Sequence, residues 1–166
     1  KNPDKVRNYA EKIVVSSQHL LSLINDVLDM SKIESGKTTL NLCDVNLADI
    51  INETDNIIRP QAKKKNQTFV VKSDGVEYCC ITADKLRLSQ ILINILSNAV
   101  KYTEEGGNIT FEIKEIKVTN PQIVKYKFII SDNGIGMSEE YLKDIFKPFT
   151  REETSLTDAV QGTGLG

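Results

Sequence analysis

Asp132-Asn133-Gly134-Ile135-Gly136-Met137 is the stretch whose reading decides the fold of this chain. It follows an alternating apolar run, Ile123 to Ile130, which predicts a half-buried strand. A carboxylate at the end of a strand can accept a hydrogen bond from an exocyclic amine such as that of adenine. Gly134 and Gly136 let the backbone approach a flat ligand and take φ values that other residues avoid. By itself the pattern also describes a plain tight turn after a strand. Its neighbours sharpen it.

Upstream, Asp84 opens a predicted helix running to about Thr103. Leu88, Ile91, Leu92, Ile95 and Ala99 form its expected buried face. Gln90, Asn94, Asn98 and Lys101 follow one polar edge at helical spacing. Asparagine is a poor mid-helix residue, so two of them four apart beside a core face call for a reason. One reading is a pair of exposed or mutually bonded amides. The other is that amide oxygens contribute to an oxygen-rich magnesium site, with Lys101 near phosphates. Downstream, Ser138 to Ile145 predicts a short helix, and Phe146 and Phe149 flank Pro148. The polar segment Arg151 to Gln161 lacks periodicity and reads as a loop that orders with ligand. A second glycine cluster, Gly162-Thr163-Gly164-Leu165-Gly166, ends the sequence. These pieces predict an ATP pocket with a base-reading floor and a phosphate-binding lid.

Pro3 to Glu34 is one long helical pattern. Val6, Ile13, Leu20 and Val27 recur every seven residues, with Tyr9, Leu23 or Ile24, and Met30 between them, a heptad seam broken by the polar gap Ser16-Ser17. Pro3 suits a first turn and Gly36 a C-terminal cap. The helix either packs on its own domain or forms one arm of a bundle whose other arm lies elsewhere. His19, the single histidine, sits on it and reads as a surface or bundle-packing residue. Further along, Thr39 to Asp44 predicts a short strand and Asn46 to Lys64 an amphipathic helix, capped by Asn46 or Asp44. Leu47, Ile50, Ile51, Ile57 and Ile58 are its expected apolar side. Thr68 to Lys72 and Tyr78 to Thr82 read as a hairpin around Ser73-Asp74-Gly75. Ile109 to Lys117 and Ile123 to Ile130 read as two long strands of a sheet.

The 166 residues allow one compact domain plus an appendage. A formal net charge of -2 gives no support for a nucleic-acid partner, and none is expected. The basic run Lys63-Lys64-Lys65 is explained by the dipole of the helix it ends. Three cysteines, Cys43, Cys79 and Cys80, form neither a disulfide framework nor a metal spacing, which points to a reducing compartment. There is no membrane-spanning run and no signal peptide. Starting at Lys1 rather than Met and stopping inside a glycine motif, the stretch reads as a cytoplasmic domain excerpted from a longer protein, and a membrane anchor elsewhere is compatible with this.

Four segments together resemble the sensor histidine kinases of two-component signalling, closest to the hybrid type. Gln90 to Thr103 looks like the family's N box, Asp132 to Met137 its first glycine box, Ile145 to Phe149 its F box, and Gly162 to Gly166 its second glycine box. His19 to Gly36 is similar to the second helix of the dimerisation and phosphotransfer hairpin. The resemblance implies an α+β fold: a GHKL (Bergerat-type) α/β sandwich with a mixed sheet packed on helices, shared with DNA gyrase B and MutL, preceded by one long helix. It implies residues 1–36 as an incomplete hairpin, 37–166 as the catalytic ATP-binding domain, and a lid at about 147–162. It implies that Asp132 bonds the adenine amine and Asn98 ligates magnesium, with Asn94 beside it. Lys101 would contact phosphate, Tyr102 the nucleoside, and Arg151 the γ-phosphate. Gly134, Gly136 and Phe149 would complete the pocket, and the backbone around Gly162, Thr163, Gly164, Leu165 and Gly166 would hold the phosphates. The implied partners are ATP, the kinase's own dimerisation hairpin in a homodimer, and a response-regulator receiver domain. The ATP-hydrolysing GHKL members carry a glutamate in place of Asn94, and an amide cannot serve as general base. The acceptor histidine of the family lies on the first hairpin helix; His19 matches the second and is not assigned that role. Two alternatives stand beside the kinase: a GHKL ATPase, and a nucleotide-binding scaffold without transfer.

Overall fold

The computed structural model describes residues 3–73, 75–76, 80–116, 118–119, 123–147, 150 and 152. The elements run α1 (Pro3–Glu34), β1 (Cys43–Asn46), α2 (Leu47–Lys64), β2 (Thr68–Lys72), β3 (Cys80–Ala83), α3 (Lys85–Tyr102), β4 (Asn108–Ile116), β5 (Lys125–Asp132) and α4 (Glu139–Leu142). The described residues fall into two units. One is α1 with the residues up to Thr39, together with Phe146, Lys147 and Thr150; the other runs from Leu40 to Ile145 with Glu152.

In the first unit, α1 ends as its sequence predicts. Gly36 takes φ +64, and its N–H reaches the Ile33 carbonyl while the Lys37 N–H reaches that of Lys32, both at 3.0 Å. This crossed pair satisfies carbonyls that the helix end leaves without donors. Along the helix the heptad residues Val6, Tyr9, Ile13, Leu20, Ile24 and Val27 are exposed, Ile13 at 66%.

In the second unit, α2 and α3 pack on a three-stranded sheet in the order β2-β4-β5. Strand β4 is central, parallel to β2 and antiparallel to β5. Every second residue of β4 points inward, and Ile109, Phe111 and Ile113 are fully buried against Leu47, Ile50 and Ile58 of α2 and Leu92 and Leu96 of α3. Burying side chains of this size contributes roughly 1.5–3 kcal/mol each before entropy is counted. This is the α+β sandwich with a mixed sheet that the sequence implied. Strands β1 and β3 form a separate antiparallel pair.

Three expectations need correction. Among the described residues the expected hairpin pairing is absent: β2 pairs with β4 in parallel, and β3 pairs with β1. A Ser-Asp-Gly turn permits a hairpin but does not choose the partner of the strand that follows, and here a parallel crossover through α3 places β2 beside the buried central strand. The buried face of α3 is also rotated. Leu92, Leu96, Ala99 and Val100 are buried with Leu88 partly covered against them, whereas Ile91 and Ile95 are 55% and 48% exposed. At 100° per residue those two isoleucines share a stripe with Asn98 and Tyr102. On α2 the face turns likewise, with Thr54 and Ala62 buried and Ile57 exposed.

Caps explain the helix starts. Asn46 Oδ1 accepts the Ala48 N–H at 2.9 Å, so Asn46 rather than Asp44 caps α2. Asp84 caps α3, its Oδ1 accepting the Arg87 N–H at 3.1 Å and its Oδ2 the Asn41 N–H at 2.9 Å. These bonds, that of Arg87 first, hold the Asp84 carboxyl below the usual carboxylate range. A carboxyl depressed in the folded state stabilises above its ordinary pKa, and that contribution is lost as pH falls through the depressed value. Asp84→Asn keeps a capping oxygen without the charge. Its melting temperature is expected below the parent's near neutral pH and equal to it in acid, once pH has fallen through the depressed value. Thermal melts at the two pH values check this; a gap that persists in acid would exclude the charge as its source.

Candidate nucleotide site

The C-terminus of α3 organises the site. A helix end leaves its last carbonyls without intrahelical donors. The Ala99 carbonyl is taken by the Thr103 N–H at 3.0 Å, and the Tyr102 carbonyl by the Ile135 N–H at 3.2 Å. The second bond docks the turn after β5 onto the end of α3. Gly134 presses on the same carbonyl: a Cβ there would lie 2.5 Å from the Tyr102 oxygen and 2.9 Å from Asp132 Oδ1. No side chain fits. Gly136 is needed for a different reason, since it takes φ +71 in open space.

Asp132 ends β5 opposite Ile109. Its Oδ1 accepts the Gly134 N–H at 2.9 Å, which fixes the carboxylate plane; among the described residues no hydrogen bond reaches Oδ2. Asn133, which sequence reasoning passed over, extends the ladder by one rung: its N–H donates to the Asn108 carbonyl at 3.2 Å and its Oδ1 accepts the Asn108 N–H at 2.7 Å. An asparagine between a strand end and a glycine is the available signal for such a turn.

On α3, Asn94 is exposed and Asn98 half-buried, and among the described residues neither amide has a hydrogen-bond partner. Lys101 Nζ lies 4.8 Å from the centroid of the Tyr102 ring, a cation–π contact that holds the ammonium at the last helical turn. The structure thus brings the Tyr102 carbonyl up to Gly134 and the Asp132 turn, with Lys101 beside the Tyr102 ring and Asn98 and Asn94 one and two turns back along the helix. Phe149, Arg151, Gly162, Thr163, Gly164, Leu165 and Gly166 lie outside the described residues, as does nearly all of the expected lid. Among the described residues no cluster of three or more His, Cys, Asp or Glu could hold a metal. An unpartnered amide oxygen fits the one hard-oxygen ligand that magnesium needs when waters and phosphates supply the rest.

Sequence reasoning also passed over Gln67 and assigned Lys65 only to the dipole of the helix it ends. Lys65 Nζ donates to the carbonyls of Val100 at 2.9 Å, Lys101 at 3.1 Å and Thr103 at 2.6 Å. Gln67 Nε2 reaches those of Val100 at 3.0 Å, Thr103 at 2.7 Å and Glu104 at 3.2 Å. The basic run at the end of α2 therefore serves the end of another helix, α3, as well as its own dipole. No local pattern marks this.

Residues 83–166 match the family described as histidine kinase-, DNA gyrase B- and HSP90-like ATPase, and residues 1–36 match the His Kinase A (phospho-acceptor) domain. The chain is 37% identical over 152 residues to the autoinducer 2 sensor kinase/phosphatase LuxQ of Vibrio vulnificus, covering 91% of this chain and 18% of that protein. It is 36% identical over 159 residues to the sensor histidine kinase GacS of Pseudomonas protegens, covering 96% of this chain and 17% of that protein. It thus spans under a fifth of the length of these relatives. Among solved structures, full-length ShkA in complex with AMPPNP is 29% identical with a TM-score of 0.76, over 96% of this chain and 31% of that one. The catalytic domain of the histidine kinase ThkA is 29% identical with a TM-score of 0.62, over 76% of this chain and 75% of that one. With both family matches falling in the order that the boxes implied, the chain belongs to the sensor histidine kinases, within the histidine kinase-, DNA gyrase B- and HSP90-like ATPase family.

Proposed function

We propose that this chain is the ATP-binding core of a two-component kinase that transfers the γ-phosphate of ATP to a histidine on a dimerisation hairpin, for relay to a receiver aspartate. The observation that carries this reading is the bond between the Tyr102 carbonyl and the Ile135 N–H. It ties an asparagine-bearing helix to a strand-end carboxylate, the two halves of a nucleotide pocket. Asp132 Oδ2 would accept the adenine amine while Oδ1 stays on Gly134. Lys101, steadied by Tyr102, would offset phosphate charge. Asn98 would ligate magnesium, which when bound neutralises charge on the transferring group. Arg151 and the glycines from 162 to 166 would reach the phosphates from the lid. Asn94 offers no general base, which favours a side-chain nucleophile over water. The AMPPNP complex of ShkA supports the ligand assigned here. The exposed heptad seam of α1 supports a homodimeric bundle as the hairpin's setting. No helix among the described residues is long and apolar enough to cross a membrane.

The test is to incubate the chain with Mg·ATP and a separate helical hairpin carrying the acceptor histidine. Acid-labile, base-stable phosphate on the hairpin is the expected product. Steady release of inorganic phosphate, abolished in Asn94→Ala, would instead identify an ATPase, and tight ATP binding with neither outcome a scaffold. For the metal, Asn98→Ala is expected to weaken Mg·ATP binding on the order of tenfold while leaving metal-free ATP affinity nearly intact. Equal losses with and without magnesium, measured by calorimetry, would remove Asn98 from the metal.

A further inference from the structure

We propose that Lys65 and Gln67 are positioning residues for adenine recognition: they hold the C-terminal carbonyls of α3 so that the Tyr102 carbonyl stays in register with the turn that carries Asp132. This rests on the nucleotide site proposed above. At the end of α3 the donors divide into two sets. Val100, Lys101 and Thr103 are served by the Lys65 ammonium, and Val100, Thr103 and Glu104 by the Gln67 amide. Tyr102, in the middle of this series, is served by the Asp132 turn. An ammonium has three donors, and here three carbonyls take them. A cation at a helix C-terminus also complements the dipole.

The backbone is arranged for this. Asn66 takes φ +52, a left-handed conformation that asparagine tolerates, and reverses the chain after α2. Lys65 and Gln67 on either side of it then face the same helix end. The reversal is pinned by the Gly106 N–H on the Lys65 carbonyl at 3.0 Å and by Asn66 Nδ2 on Glu105 Oε1 at 2.6 Å. Without the ammonium, the Lys101 carbonyl loses its donor, those of Val100 and Thr103 keep only the Gln67 amide, and the last turn of α3 frays. The Tyr102 carbonyl then leaves the Ile135 N–H, and the carboxylate that reads the base loses its anchor. Lys65 touches no ligand. Its effect is on which base is preferred.

The experiment measures ATP and GTP affinity by calorimetry, and melting temperature, for the whole chain and for Lys65→Met, Lys65→Arg, Lys64→Met and Asp132→Asn. Lys65→Met is expected to lower the ATP-over-GTP preference about tenfold, the equivalent of one charge-assisted hydrogen bond. Lys65→Arg keeps the charge and is expected to restore most of it; Lys64→Met is expected to leave it unchanged. A lower melting temperature with an unchanged preference in Lys65→Met, while Asp132→Asn loses the preference, would overturn the positioning role and leave the site standing. A parent chain without preference for ATP, or an Asp132→Asn that keeps it, would overturn both. If Lys65→Met does not fold, Gln67→Met decides by the same ratio: its loss supports the role and its retention overturns it.

Discussion

Asp132→Asn is expected to weaken ATP binding roughly 30- to 150-fold, the equivalent of about 2–3 kcal/mol for a lost charged acceptor opposite a buried donor. The substitution preserves shape and changes only one atom pair. In the parent, Oδ1 is occupied by the Gly134 N–H at 2.9 Å, so Oδ2 is the atom presented to a ligand. The asparagine oxygen must stay on Gly134 to keep that bond, which places the amide nitrogen where Oδ2 stood. A donor then faces the adenine amine, itself a donor. Rotating the amide would relieve this only by setting its nitrogen against the Gly134 N–H. Calorimetric titration of ATP with magnesium into parent and variant checks the prediction. Unchanged affinity would mean that the base is read elsewhere.

Gly134→Ala is expected to damage both stability and nucleotide binding. Its Cβ would meet backbone atoms, the Tyr102 oxygen at 2.5 Å and the Tyr102 carbonyl carbon at 3.0 Å, as well as Asp132 Oδ1 at 2.9 Å. Backbone at the end of a packed helix does not swing aside as a side-chain tip does. The turn must lift, and the Ile135–Tyr102 bond goes with it. The expected cost is about 2–4 kcal/mol of stability, with ATP binding lost. Gly136→Ala is the control: nothing lies within 4 Å of its Cβ, and the strain of φ +71 costs about 1–2 kcal/mol. Urea unfolding of both variants discriminates. Equal costs at the two positions would mean that the close approach at Gly134 is not what the turn depends on.

The helices were legible in the sequence because each carries its own evidence. Period, cap and stop signals act within a few residues, and Pro3, Gly36, Asn46, Asp84 and Ser138 lie at or beside the helix ends. The candidate site was legible for a related reason: two asparagines four apart in mid-helix, and a strand-end carboxylate before two glycines, are locally unfavourable choices that need a function. Strand partners were not legible. Any strand offers the same row of N–H and C=O groups, so pairing is chosen by which faces bury together. That put β2 beside β4 across the intervening β3 and α3, despite the turn signal at residues 73–75. The facing of α3 was settled the same way, since Ile91 and Ile95 match Leu96 and Val100 in hydrophobicity and only the position of the sheet decides between them. Lys65 shows the limit most plainly. Its chemistry, a long cationic side chain at a helix end, is written in the sequence. Which carbonyls it meets depends on where the end of a helix, more than thirty residues later, comes to rest, and that is a property of the packed core alone.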